Sequence, residues 1–404
     1  MKNFVVEELK QVPTYKQKIE IVERKGLGHP DTICDLIMNE ISIRLSEEYL
    51  KRFGTILHYN IDKALLSAGE AEFKFGGGKI KKPMLLIIGD RATYSINGEE
   101  IPVEEIAIST AKKWFKENLR FVDPENHVKY QVELKQVGEE LADIFKRKKE
   151  VLGAGDTSAA VGYAPLTPTE NLVLETEKFL NSKEFKKEFE ETGEDIKVMG
   201  SRIDDELNLT IAVPFIDRFI DSENTYFKRK EEVNQKLLEF LDEKYSMNFS
   251  NFDVHLNTLD VKDRGTAGIY LSVIGTSAET TDSGQVGRGN RPNGVISLNR
   301  YASEEAAAGK NPVSHVGKIY NLLSFRIAKK IYNNISGIEE VYVWLLSQIG
   351  RPINDPKLAA AQVVLKEGTP LNTIKNDIEE ILYKELGNID KFCKELIKGK
   401  VSIC

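Results

Sequence analysis

Chemistry in this chain is concentrated in glycine-punctuated segments. The first is Gly26-Leu27-Gly28-His29-Pro30-Asp31. Glycines permit a sharp turn, and Pro30 presets the entry into a helix. His29 and Asp31 then stand at a helix N-terminus, where free N–H groups and the dipole favour an anion. A purely structural use of the same residues is equally simple, with Asp31 as the helix cap and His29 as a turn residue. The segment is not a dinucleotide fingerprint, because His-Pro-Asp follows where a third glycine is needed. A second loop, Gly153-Ala154-Gly155-Asp156-Thr157-Ser158, offers an acid and two hydroxyls on a backbone with little bulk. It suits hydrogen bonds to a ribose or purine, although a tight turn capped by Asp or Ser explains it almost as well. The third segment, 275–294, carries Gly275, Gly284, Gly287, Gly289 and Gly294 together with Asp282, Arg288 and Arg291. Arg288 and Arg291 are forks suited to phosphate oxygens, and Asp282 is a hard oxygen ligand for Mg²⁺. Gly309-Lys310-Asn311-Pro312 then opens a helix with His315 and Lys318. Lys310 ahead of a helix N-terminus is unfavourable by itself, and a bound anion would relieve the conflict.

Carboxylates of the Mg²⁺ type, small-residue loops and several cations together suit a polyphosphate. Other chemistries are absent from the sequence. Lys79 and Lys310 each follow a glycine, but without the earlier Gly and the following Ser or Thr of a phosphate-binding P-loop. There is no Gly-x-Ser-x-Gly elbow and no kinase His-Arg-Asp segment. Cys34, Cys393 and Cys404 lack metal-ligand spacing, which predicts reduced thiols in a cytoplasmic protein. The net charge of −7 gives no global basic field, so no nucleic-acid partner is expected. Residues Met1 to Pro13 lack the apolar core of a signal peptide, and no apolar run approaches membrane-spanning length.

The elements that position these segments are legible in part. Strands are expected at Ile19–Lys25, Thr55–Ile61, Met84–Ile88, His127–Val137, Gly268–Ile274 and Val295–Leu298, and the last two make 275–294 a loop that returns to a sheet. Helices are expected at Asp31–Arg52, Val103–Leu119, Thr169–Glu190, Thr225–Tyr245, Pro312–Ile335 and Leu371–Leu386. In the first helix Ile33, Ile37, Ile41, Leu45 and Tyr49 recur every four residues as one apolar stripe. Strands cluster between single long helices rather than alternating with them, which predicts an α+β fold rather than a doubly wound parallel sheet. The 404 residues predict two to three domains, but no Pro-rich or low-complexity linker marks them. The regions fall at approximately 1–135, 136–255 and 256–404.

Taken together, these islands resemble the S-adenosylmethionine synthetase (methionine adenosyltransferase) family, and its archaeal branch in particular. Gly28-His29-Pro30-Asp31 is similar to the segment carrying that family's catalytic histidine and a metal-ligand aspartate. Gly153-Ala154-Gly155-Asp156 is similar to its nucleotide loop. Asp282-Ser283-Gly284 with Gly287-Arg288 resembles its Asp-x-Gly-x-x-Gly-Arg segment, Gly309-Lys310-Asn311-Pro312 its Gly-Lys-Asp-Pro segment, and Asp195-Ile196-Lys197 a short segment with a phosphate-binding lysine. Against the archaeal branch the resemblance runs from about Ile21 to Ser336. Departures occur at Leu27, Thr32 and Gly289, and beyond Lys310 the family's further lysine and aspartate are replaced by His315 and Lys318 nearby.

The resemblance implies a fold of three similar α/β domains, intertwined and discontinuous in sequence. It implies a homodimer or tetramer with sites at the subunit interface, and synthesis of S-adenosylmethionine from ATP and L-methionine. His29, Lys197, Arg288 and Lys310 are the implied catalytic residues. Residues Gly153, Ala154, Gly155, Asp156, Thr157, Ser158 and Arg291 are the implied ATP contacts, and Asp31 and Asp282 the Mg²⁺ ligands. Asp62 is a candidate contact for a cation such as K⁺ or for methionine. Two other classes compete: a Mg²⁺-dependent phosphotransferase or phosphohydrolase, and an ATP-binding regulatory protein without turnover.

Overall fold

A computed structural model describes residues 4–96, 98–137 and 152–404. Its framework is three sheets of four or five strands, each assembled from distant parts of the chain. The first sheet runs in the order Phe4–Glu8, Leu358–Leu365, Ile338–Leu346, Ala159–Ala164. The second runs Asn251–Leu256, Glu206–Ala212, Lys197–Ile203, Ile19–Lys25, Ile296–Ser297, and the third Gly284–Gln285, Tyr59–Ser67, Met84–Ala92, Val128–Gln136. Parallel and antiparallel pairings mix within every one of them. The fold is α+β, as the clustering of strands implied.

Long helices cover the sheets because each has an apolar face to bury. In Pro30–Phe53 the stripe Ile33, Ile37, Ile41, Leu45, Tyr49 is fully buried. That helix ends at Gly54, whose φ of 68° lets its N–H return to the Leu50 carbonyl. The first and third sheets share one apolar core with this helix and with Val316–Asn334, whereas the second has its own core with Glu223–Tyr245. A buried polar seam ties the sheets together. Arg300 pairs with Glu340 of the first sheet at 3.2 Å and with Glu170 of helix Pro168–Leu180 at 3.1 Å. Thr167 at the head of that helix donates to Glu20 of the second sheet, which also pairs with Arg202. Each charge in the seam has a partner, the condition under which burial of ions is tolerated.

Several expected elements are shorter or shifted. The strand expected from Thr55 begins at Tyr59, because the chain is still turning out of Gly54. The helix expected over Thr169–Glu190 breaks after Leu180, and Ser182 caps a second one at Lys183–Glu188 by accepting the Phe185 N–H. Of the strand expected at Gly268–Ile274 only Leu271–Ser272 pairs, since the buried Glu279 carboxylate takes the N–H groups of Val273 and Ile274. The helix expected from Pro312 starts at Val316, capped by His315, and the one expected from Leu371 starts as a 3-10 turn before Lys375–Gly387.

Candidate active site

Strand Ile19–Lys25 delivers the chain into the Gly26–Gly28 turn, and helix Pro30–Phe53 leaves it. His29 is the N-cap of that helix: its Nδ1 accepts the Asp31 N–H at 3.2 Å. The capping role falls to His29 and not to Asp31. With Nδ1 taken up as an acceptor, the ring N–H is carried on Nε2. Nε2 lies 3.8 Å from Asp282 Oδ2, and Nδ1 lies 3.8 Å from Asp31 Oδ2. The histidine thus stands between the two carboxylates singled out in the sequence. Asp31 is buried; it accepts Lys25 Nζ at 2.8 Å and the Gln285 N–H at 2.9 Å. Asp282 has a side chain 51% exposed and accepts the N–H of its own neighbour, Ser283, at 2.9 Å.

Lys197 stands opposite Lys25 across two paired strands. Like charges opposite one another are destabilising. Here each lysine has its own carboxylate, Asp31 for Lys25 and Glu23 for Lys197 at 3.0 Å. Lys25 also donates to the Arg288 carbonyl at 2.7 Å, which ties this cluster to the glycine-rich turn.

On the other side of Gln285 and Arg288 opens a cleft of about 740 Å³, lined by Asp62, Lys63, Arg288, Glu305 and Lys310 among others. Lys310 is 2% exposed and makes a 2.5 Å bond to Asp62 Oδ2, with Glu305 at 3.1 Å. The conflict expected at Lys310 is therefore met within the chain by two carboxylates, and the helix N-terminus lies farther on. Burial alone would lift the Asp62 carboxyl, but the charge and hydrogen bond of Lys310 hold it below the usual carboxylate range. Asp90 is pushed up to about 6 by burial and then by the Asp62 carboxylate nearby. Behind Lys310, burial and then the Lys310 charge lower His315 to about 4 and Lys318 to about 7. Lys318 donates to Asn39 at 2.9 Å and not to the cleft.

The structure thus brings His29, Asp31, Asp282 and Lys197 together, and joins them through the 285–288 turn to Arg288, Lys310 and Asp62. It holds two other groups apart. Arg291 turns inward, donating to the Gly287 carbonyl at 3.3 Å. The 153–158 loop packs on its own chain, with Ala154 N–H on the Arg351 carbonyl, Gly155 N–H on the Ser314 carbonyl and the Thr157 hydroxyl accepting Ile349 N–H; only the following Ala159 reaches the cleft wall. The Ser158 hydroxyl is buried without a partner among the described residues. Sequence reasoning passed over Lys25 and Glu305. A lysine ending a strand directly before the Gly-x-Gly turn was the available signal for the first, and nothing in the pattern marked the second. Among the described residues no group of three or more His, Cys, Asp or Glu side chains is arranged to hold a metal ion, no helix is long and apolar enough to cross a membrane, and all three cysteines are free.

Comparison with known proteins gives the family. The family model for S-adenosylmethionine synthetase (AdoMet synthetase) matches residues 2–400. The chain is 46% identical over 404 residues to an S-adenosylmethionine synthase of Pyrococcus horikoshii, covering 100% of this chain and 99% of the relative. It is 45% identical to an S-adenosylmethionine synthase of Hyperthermus butylicus (100% and 99% covered) and 44% to a probable one of Aquifex aeolicus (100% of both). In fold it is similar to an unusual S-adenosylmethionine synthetase from Campylobacter jejuni, with a TM-score of 0.60 at 14% identity over 92% of this chain and 89% of the other. An α+β transferase is what fold and family agree on. The chain belongs to the S-adenosylmethionine synthetase family, and its activity is that of a methionine adenosyltransferase.

Proposed function

We propose that this chain joins L-methionine to ATP at C5′. The thioether sulfur attacks C5′, the C5′–O bond breaks, and its electron pair leaves with the tripolyphosphate. The sulfur becomes a sulfonium, and water then cleaves the tripolyphosphate to pyrophosphate and phosphate. A thioether has no proton to lose, so the first step needs no base. It needs stabilisation of a leaving group on which charge develops.

One observation carries the reading: a histidine whose Nδ1 is occupied by a backbone N–H, so that Nε2–H is a fixed donor, set between two carboxylates and beside several cations. In this reading His29 donates to the departing 5′ oxygen. Lys197, Arg288 and Lys310 neutralise the phosphates, and the carboxylates that hold Lys197 and Lys310 now are exchanged for phosphate oxygens. Asp31 and Asp282 are hard oxygen donors of the kind Mg²⁺ takes, one or two carboxylates being completed by water and phosphates. When bound, the ion supplies further charge neutralisation along the polyphosphate. Asp62 contacts K⁺ or the methionine. Residues 153–158 take the nucleoside, in a site completed across a homodimer or tetramer. The enzyme works in the cytoplasm.

The test is the product set with ATP, methionine and Mg²⁺. Ion-exchange chromatography should find a sulfonium product and neither ADP nor AMP, with pyrophosphate and phosphate in equal amounts. Methionine-independent ADP would favour a phosphotransferase or phosphohydrolase, and intact ATP under every condition a regulatory protein.

A further inference from the structure

The turn that carries Arg288 is held from behind by two charged residues that the reaction scheme does not use. Asp35 lies four residues beyond Asp31 on helix Pro30–Phe53 and is 5% exposed. Its Oδ1 accepts the Gly287 N–H at 2.9 Å. The Gly287 carbonyl accepts Arg291 Nη1 at 3.3 Å, so both faces of this left-handed residue (φ 87°) are occupied. On the far side of Arg288, a Cβ at Gly289 would come 2.3 Å from Asp35 Oδ2, so the carboxylate fits only against glycine. Burial pushes the Asp35 carboxyl up to about 7, against the pull of the Gly287 and Gly289 N–H groups and of the Arg291 guanidinium, and the Arg291 Nε is buried without a partner among the described residues. Of the triplet Gly287-Arg288-Gly289, Arg288 alone has a side chain, and it lines the cleft. Leaving a carboxylate this deep is expensive unless its contacts matter.

We propose that Asp35 and Arg291 are positioning residues that lock the 287–289 turn so that Arg288 faces the polyphosphate path. This rests on the function proposed above, and it gives Arg291 a role other than direct contact with ATP. Removing either residue lets the turn relax and takes Arg288 out of register, so rate suffers while substrate affinity does not. A displacement of about 1 Å at a reacting centre costs on the order of a hundredfold in rate.

The experiment is a double-mutant cycle on full-length enzyme, assayed for the sulfonium product. Asp35→Ala should lower kcat at least about tenfold with KM for methionine within about threefold. Asp35→Asn, which keeps an oxygen for the Gly287 N–H, should recover most of that loss. Adding Arg288→Ala to Asp35→Ala should cost less than about threefold more, because Arg288 is already misplaced. Arg291→Met supplies the same cycle if Asp35→Ala does not fold, with Kd for a non-hydrolysable ATP analogue within about threefold of the wild type. Multiplicative losses, an unaffected kcat, or a large rise in Kd for Arg291→Met overturn the positioning role. A wild-type chain that forms no sulfonium product overturns the function beneath it.

Discussion

Lys310 is the residue at which structure and chemistry can be separated by mutation. Its ammonium is buried and makes a 2.5 Å bond to the equally buried Asp62. Lys310→Met removes the cation and leaves the carboxylate. Breaking a buried pair from one side costs about 3–5 kcal/mol, because the remaining charge is uncompensated. Asp62 keeps Lys63 and the Asn60 amide, which places the expected loss at the lower end, about 3 kcal/mol. That is roughly a 150-fold fall in the folded-to-unfolded ratio. For a chain of this length about 2 °C per kcal/mol is an upper figure, so calorimetry should register a fall of up to about 6 °C. The pH dependence follows from Asp62, whose carboxyl Lys310 holds below its unfolded value. A depressed carboxyl contributes stability above the ordinary carboxylate range and loses it as pH falls through the folded value. The gap between wild type and Lys310→Met should therefore be widest near neutrality and narrow under acid conditions. Asp62→Asn added to Lys310→Met should restore most of the stability and none of the activity, since it removes the orphaned charge without returning a cation to the phosphates. If Lys310→Met is as stable as wild type, or if Asp62→Asn fails to rescue it, the burial argument is wrong.

Arg288→Ala should lower kcat at least about tenfold, or roughly 1.4 kcal/mol of transition-state stabilisation, and Arg288→Lys should not restore it for want of the planar fork; normal turnover of the alanine variant would remove Arg288 from the site. Gly284→Ala should abolish activity, because its Cβ would lie 2.1 Å from the Pro30 carbonyl carbon, where backbone meets backbone at the start of the His29 helix; steady-state assays on soluble protein check this. Lys318, lowered to about 7 by burial and then by Lys310, binds its proton more weakly in the folded chain than in the unfolded one. Stability should therefore rise with pH from about 7 towards 10, and urea titrations should show that slope flattened in Lys318→Met. Exhaustive chelation should stop turnover and added Mg²⁺ should restore it, as full activity in chelator would contradict the carboxylate assignment.

How much of this was legible in the sequence depended on how local the signal was. The four-residue stripe from Ile33 to Tyr49 located the first helix to within a residue at each end, because amphipathic burial leaves a periodic trace. The Gly-His-Pro-Asp turn and the glycine-rich 284–294 segment were visible for the same reason, since close turns restrict residue type. Partnerships were not visible. Nothing near Lys310 announces that Asp62, 248 residues earlier, neutralises it, nor that Arg291 serves Gly287 inside the turn rather than the cleft. Strand ends were lost where a side chain captured the backbone, as Glu279 does at Val273 and Ile274. Domain limits left no linker to read because each sheet borrows strands from remote segments.

The parallel pairing of Phe4–Glu8 with Leu358–Leu365 bears on how the protein is born. Glu7 waits for Gln362, 355 residues downstream. At about 5–20 residues per second on the ribosome, that is a delay of roughly 18–70 s. Through that interval the strand stays an open edge, with Val5 and Val6 unpaired and available to any passing strand. The acidic pair Glu7 and Glu8 that closes the strand after Phe4, Val5 and Val6 is the safeguard in that interval, since charge on an edge discourages intermolecular pairing. Closure of the first sheet therefore waits until residues 358–365 have been made, and a nascent chain stalled before residue 358 would carry that edge indefinitely.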